Sequence, residues 1–252
     1  MSGLGAYLVL EIRRTVRNPR FLLFTVAFPL GFYLLFTMLY GDTSMGSGPG
    51  AIAFSAYYMV AMAAYGGLSA ALNSNASRLA AERAGGWSRQ LRVTPLAPAA
   101  YVLGKTIGAV GVVLPSIVLV CLAGAVVHHV SGSAATWIAL VAALWIGSIP
   151  FAVLGVLLGY ALDTESAQSG GMIVFFALSI LGGLWFPYQI MPHWMQDIAR
   201  VLPSYHYAAL GWNAVAHQAL GWRHIAVLLA YTAVFGLWAA RRYRRDEARE
   251  YA

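Results

Sequence analysis

Three patterns in this sequence carry the residue types of a reactive or ligand-binding site, and each lacks a part. His193, His206, His217 and His224 fall in one aromatic segment at spacings of 13, 11 and 7 residues. Metal ligands from a single stretch ordinarily sit about three to six residues apart, so that their side chains reach one ion. No metal site is expected here. Gly67-Leu68-Ser69-Ala70 places a serine among small residues, as a membrane-embedded serine protease does. The second glycine of that pattern is absent, and no later apolar run supplies a histidine to act as base. Ala99-x4-Gly104-Lys105-Thr106 has the close of a phosphate-binding loop without its first glycine. It follows no strand and opens an apolar helix, so the chain is not expected to bind ATP itself.

The chemistry that remains is docking. Between long oily runs lies one charged interruption, Arg78 to Pro98, with Arg78, Glu82, Arg83, Arg89 and Arg92. Trp87 and Leu91 are four apart and share a helical face, while Arg89 and Arg92 are three apart on another. Thr94-Pro95 ends the helix near Val93, because the residue before proline is pushed out of the helical region. A short amphipathic helix between two spans needs a surface to lie against, and a partner protein provides it.

The elements around this helix follow from composition. Of 252 residues 60% are hydrophobic and only 10% charged. Soluble domains run near a quarter charged, so the chain reads as an all-α polytopic membrane protein. Its net charge of +7 does not indicate nucleic acid, since the basic residues cluster at the ends of oily segments as topology signals. Cys121 is the single cysteine, which excludes an intrachain disulfide. Six spans are expected, near 21–40, 51–73, 101–127, 136–161, 168–186 and 225–240, the last of them short for a helix that crosses the hydrocarbon. Pro29 and Gly31 predict a kink in the first, tolerable where neighbours satisfy the freed backbone.

The whole chain is expected to be one transmembrane domain. Residues 1–20 form an interfacial elbow helix, in which Ile12 and Val16 face away from Arg13, Arg14 and Arg17. Residues 21–73 hold spans one and two, 74–100 a cytoplasmic loop, and 101–186 spans three to five. Residues 187–224 form an extracellular segment of short re-entrant or interfacial helices, and 225–252 hold the sixth span and a basic tail. Fourteen of the sixteen Lys and Arg lie before the first span, in the charged interruption with Lys105, or in the tail. That bias places both termini and the loop in the cytoplasm.

No Asp, Glu, Arg or His falls near an expected midplane, and an ion-coupled transporter needs such a group. The force for any transport must therefore come from a separate subunit. Three stretches resemble the permease subunits of ABC-2 type exporters, the drug, lipid and polysaccharide export type. They are RRTVRNPRFLLFTVAFPLGFYLLF (13–36), ERAGGWSRQLRVTPLAPAAYVLGK (82–105) and GGLWFPYQIMPHWMQDIARVLPSYHY (182–207). The second is the most specific, with a charged pair, a small turn and Leu-Arg-Val-Thr-Pro before the third span.

The resemblance implies a non-catalytic subunit of a bacterial plasma-membrane exporter. It also implies a second permease subunit and an ABC ATPase subunit, which alone binds ATP and Mg. Glu82, Arg83, Trp87, Arg89, Leu91 and Arg92 of the coupling loop at 74–100 would couple to that ATPase, or else their charges only hold a loop in the cytoplasm. The elbow helix would lie beside the ATPase, or serve as a plain interfacial anchor. Phe186, Pro187, Pro192 and Pro203 would shape an outer gate, or else only anchor the sixth span. Asn73, Asn75, Gln168 and Ser169 are the polar residues placed to line a path for an amphipathic or lipid-like cargo, a drug or antibiotic among them. More often such residues only cross-link helices. The GxxxG of Gly155 and Gly159 suits either an internal contact or a seam between two copies. The alternative function is a non-transporting membrane scaffold or sensor that uses the same loop to hold a cytoplasmic partner.

Overall fold

The structure, a computed structural model, describes residues 23–41, 43–45, 52–85 and 98–249. Arg13, Arg14 and Arg17 of the elbow segment lie outside the described residues, as do Trp87, Arg89, Leu91 and Arg92.

The first oily run begins as a π-type turn, Leu23–Ala27, and continues as α1, Phe28–Tyr40. Pro29 accounts for the irregularity. It has no N–H to offer the carbonyl of Thr25 four residues back. The hydroxyl of Ser116 donates to that carbonyl at 2.5 Å, so the freed backbone group is satisfied by another helix. After α1, a minimal antiparallel pair, β1 Ser44–Met45 with β2 Ile52–Ala53, brackets the polar turn.

α2, Phe54–Ala84, is continuous for 31 residues, and every residue from Phe54 to Leu72 is buried. Its alanines, glycines and serines allow neighbours to close in on all sides. A Cβ on Gly66 would lie 2.3 Å from the Ser116 hydroxyl, and one on Gly67 would lie 2.4 Å from the Tyr207 hydroxyl. Adjacent glycines thus admit different helices on different faces.

Around α2 stand α3 (Pro98–Val127), α4 (Ala134–Gly147), α5 (Ile149–Ala161) and α6 (Thr164–Leu181). The expected fourth span is two helices, because Pro150 at the start of α5 breaks it at Ser148. Gly155 and Gly159 resolve to an internal contact. A Cβ on the first would fall 2.4 Å from the Leu72 carbonyl oxygen, and one on the second 2.7 Å from the Leu79 Cβ. α6 is capped by Asp163, whose carboxylate accepts from the Ser166 N–H at 2.8 Å. That bond and a second from the Ser166 hydroxyl hold the Asp163 carboxyl below its usual range.

Residues 187–224 fold as a tight turn at Tyr188–Ile190 followed by α7 (His193–Ala199) and α8 (Pro203–Val215), before α9 (Trp222–Arg249). Pro192 and Pro203 start α7 and α8, a position where the missing N–H costs nothing. α8 does not lie flat at an interface but is buried along most of its length. Trp212 stacks on Tyr57 of α2 at 4.5 Å, and its indole N–H donates to the Tyr57 carbonyl. Gly211 makes this approach possible, since a Cβ there would lie 2.6 Å from Val60.

Four helical stretches among the described residues are long and apolar enough to cross a membrane: Leu23–Tyr40, Gly104–Val127, Ala134–Ala161 and Trp222–Tyr243. The chain is a multi-pass membrane protein. α2 and α6, the expected second and fifth spans, fall outside that set by composition. Tyr57, Tyr58, Tyr65, Gly66 and Gly67 dilute α2, and Thr-Glu-Ser-Ala-Gln-Ser opens α6.

Candidate functional site

Two polar features stand against this apolar background, a charged base and a cavity beside it. The base is built at the last turns of α2. The helix runs on to Ala84, so Glu82 and Arg83 extend the second oily segment rather than open a separate helix. Nη1 of Arg83 lies 2.9, 3.1 and 3.3 Å from the carbonyl oxygens of Gly159, Tyr160 and Leu162. These belong to the end of α5, where carbonyls lack helical partners and a cation complements the helix dipole. The guanidinium also sits 5.7 Å from the centre of the Tyr160 ring, which meets Tyr243 of α9 edge-on. Glu82 pairs with Arg78 and with Lys105 of α3. Two of the residues expected to contact a partner therefore also tie α2 to α3 and α5.

Arg83→Gln is expected to lower stability by about 2 kcal/mol, the scale of hydrogen bonds from a charged donor. The readout is earlier loss of monodisperse protein on heating in detergent. Arg83→Lys keeps the charge without the planar fork and should recover about half of the loss.

The cavity, of about 840 Å³, opens between the turn before α1, α2 and the start of α6. From α2 come Ser69, Asn73 and Ser77, one helical turn apart and so on one face. From α6 come Glu165, Gln168, Ser169, Met172 and Ile173, which repeat at helical spacing. Phe24, Thr25 and Phe175 complete most of the wall. Gly171 sets the closeness of the two helices, since a Cβ there would lie 3.4 Å from the Asn73 side-chain oxygen. One end of the cavity thus offers amides, hydroxyls and a carboxylate, and the other offers aromatic and thioether surface.

Such a polar cleft inside an apolar bundle suits a molecule with both kinds of surface. The profile described as ABC-2 family transporter protein matches residues 49–241. The chain belongs to the ABC-2 transporter family. A relative in Bacillus subtilis (strain 168), YvfS, named as a candidate transport permease, is 31% identical over 250 residues. The alignment covers 98% of this chain and 100% of that protein.

In this ABC-2 family member, three of the four polar residues expected along a path, Asn73, Gln168 and Ser169, meet in the cavity. Asn75 is buried instead, and its amide donates to the carbonyls of Lys105 and Ala152 at 3.2 and 3.3 Å. Ser69, Ser77 and Glu165 also line the cavity and are missed by sequence reasoning. The spacing of Ser69, Asn73 and Ser77 was the available signal, since three polar residues repeat every fourth position in an otherwise small and apolar helix. Of the four residues assigned to an outer gate, Pro187 and Pro203 are buried, while Phe186 and Pro192 are exposed.

Two of the four histidines do meet. Nδ1 of His206 lies 2.8 Å from Nδ1 of His224, and Nε2 of His206 lies 2.9 Å from the Arg200 carbonyl oxygen. The carbonyl requires a proton on His206 Nε2, so His206 Nδ1 accepts and His224 Nδ1 donates. The pair ties α8 to α9 by a hydrogen bond. His193 and His217 stand apart from it, and no group of three metal-ligating side chains occurs among the described residues.

Proposed function

We propose that this chain is the membrane permease subunit of an ATP-driven exporter. Six spans cross a bacterial plasma membrane, with both termini and the loop of residues 74–100 in the cytoplasm. A separate ABC ATPase subunit binds ATP and Mg and docks on the stretch Glu82–Arg92, beside the elbow helix. A second permease subunit completes the pathway. The likeness to YvfS over nearly the whole chain supports a transport role, and the absence of midplane ionisable residues in the expected spans favours an external source of force.

The observation that carries this reading is the cavity itself. A scaffold or sensor has no need of an 840 Å³ cleft with a polar and an apolar end set within a helix bundle, whereas an exporter of amphipathic compounds does. The apolar surroundings of the cleft would let such a cargo enter from the bilayer. The test is co-expression with an ATPase subunit encoded beside it, joint purification, and reconstitution in proteoliposomes. ATP-dependent movement of a fluorescent amphiphile is expected, and none with the chain alone. A lone chain that drives cargo on an ion gradient would overturn the reading.

A further inference from the structure

The charge and aromatic content of the cavity narrow the class of cargo. Its one ionisable lining side chain among the described residues is Glu165, in a chain with sixteen Lys and Arg against nine Asp and Glu. Glu165 is exposed and makes no ion pair among the described residues. It is not needed to cap α6, because Asp163 does that. A carboxylate therefore faces a cleft where Gln168, Ser169, Asn73 and Ser77 supply neutral donors and acceptors.

From the other end of the cavity an aromatic ladder runs along the first span. Phe24, Phe28, Phe32 and Phe36 stand four residues apart on one half-exposed face. Successive ring centres are 6.4, 4.3 and 5.7 Å apart. Trp185 closes on the ladder at 5.6 Å from Phe28 and 5.5 Å from Phe32. Twelve residues of helix rise about 18 Å, the length of an extended acyl chain or of several fused rings. The ladder offers apolar surface for the body of a ligand, while Glu165 sets the sign of charge at its head.

We propose that this cavity takes a cationic amphiphile, with its amine or other positive head beside Glu165 and its apolar body along Phe24–Phe36. The proposal rests on reading the cavity as the cargo site. It disfavours phosphate-headed lipids and sugar phosphates, whose charge would meet a carboxylate with no described basic side chain on the lining.

The test uses the purified full chain in neutral-lipid nanodiscs, with no ATPase and with empty discs as the blank. The probes are rhodamine 6G, a cationic polycycle, and anilinonaphthalene sulfonate, a smaller anionic one, each followed by fluorescence anisotropy and compared between variants. Glu165→Gln is nearly isosteric at an exposed position, so the fold is retained. It is expected to weaken rhodamine 6G about two- to fivefold, the scale of one exposed charge pair, and to leave the anionic probe unchanged or tighter. Glu165→Asp should keep most of the wild-type preference. Phe28→Ala with Phe32→Ala should weaken the cationic probe further.

Equal rhodamine 6G affinity for wild type and Glu165→Gln would overturn the proposal, and so would tighter binding of the anionic probe by the wild type. Disulfide cross-linking between copies at an introduced Ile173→Cys, with Cys121→Ser, would show that a second copy fills the cleft and would also sink it. Because no ATPase is present, the outcome is separable from the exporter reading. Selective binding without ATP-driven export would leave this proposal standing and remove only that reading.

Discussion

Gly155→Val is expected to leave almost no folded protein. A Cβ at this position would lie 2.4 Å from the Leu72 carbonyl oxygen and 3.2 Å from the Asn75 Cβ. The first of these neighbours is backbone in the middle of α2, which has no alternative rotamer and cannot step aside. Relief requires α5 to move away from α2, and α5 also meets α2 at Gly159 and through the bond from Asn75 to Ala152. Overpacking of flexible side chains costs about 1–3 kcal/mol, and pressing Cβ against main chain lies at or beyond the top of that range. A whole domain is stable by only about 5–15 kcal/mol. Gly31→Ala is the control, because a Cβ there meets nothing within 4 Å. Size-exclusion of fluorescently tagged variants should give a normal peak for Gly31→Ala and aggregate for Gly155→Val. A normal peak for both would show that α2 and α5 do not pack at this distance.

The second large effect concerns energy supply rather than folding. With Trp87→Asp and Leu91→Asp together, the ATPase subunit is expected to be lost from the purified complex. Buried aromatic anchors commonly account for at least about 2 kcal/mol of an interface. Putting carboxylates in their place adds a desolvation penalty that the partner's groove does not repay. Two such changes should weaken association on the order of a hundredfold or more. ATP hydrolysis by the complex should fall to that of the free ATPase, while the variant chain still elutes as folded protein. Arg89→Ala, on the other predicted face, should have a much smaller effect. Retention of the ATPase and its activity with both aspartates in place would remove the docking assignment.

The fold was readable where composition and punctuation act locally. Pro29 announced an irregular first span, and the Ala, Gly and Ser content of 51–73 suits a helix that admits close neighbours. The GxxxG spacing announced a close contact but not its partner, since Leu72 and Leu79 lie far away in sequence. The end of α2 was misplaced for a physical reason. Arg78, Glu82 and Arg83 look like the start of a solvated loop, yet Arg78 pairs with Glu82 one turn on, Glu82 with Lys105 of α3, and Arg83 with carbonyls at the end of α5. Burial of α8 was hidden by its own composition, because Tyr and Trp suit both a headgroup layer and a stacked protein contact such as Tyr57–Trp212. In the cavity, Asn73, Gln168 and Ser169 stood out as polar residues at the ends of oily runs. Asn75 carried the same signal but points toward α3 and α5. A difference of two residues rotates a helical side chain by roughly 200°, which composition does not register.

The length of α2 has a mechanical consequence. At 1.5 Å per residue, 31 residues make a rod of about 46 Å, with one end at the charged loop and the other at the β1–β2 pair. Its weakest point should be the double glycine at 66 and 67, but Ser116 and Tyr207 press on it from different sides and act as collars. Under the proposed docking, a push on the loop would meet a helix braced at its middle, whose far end carries Tyr57 stacked on Trp212 of α8.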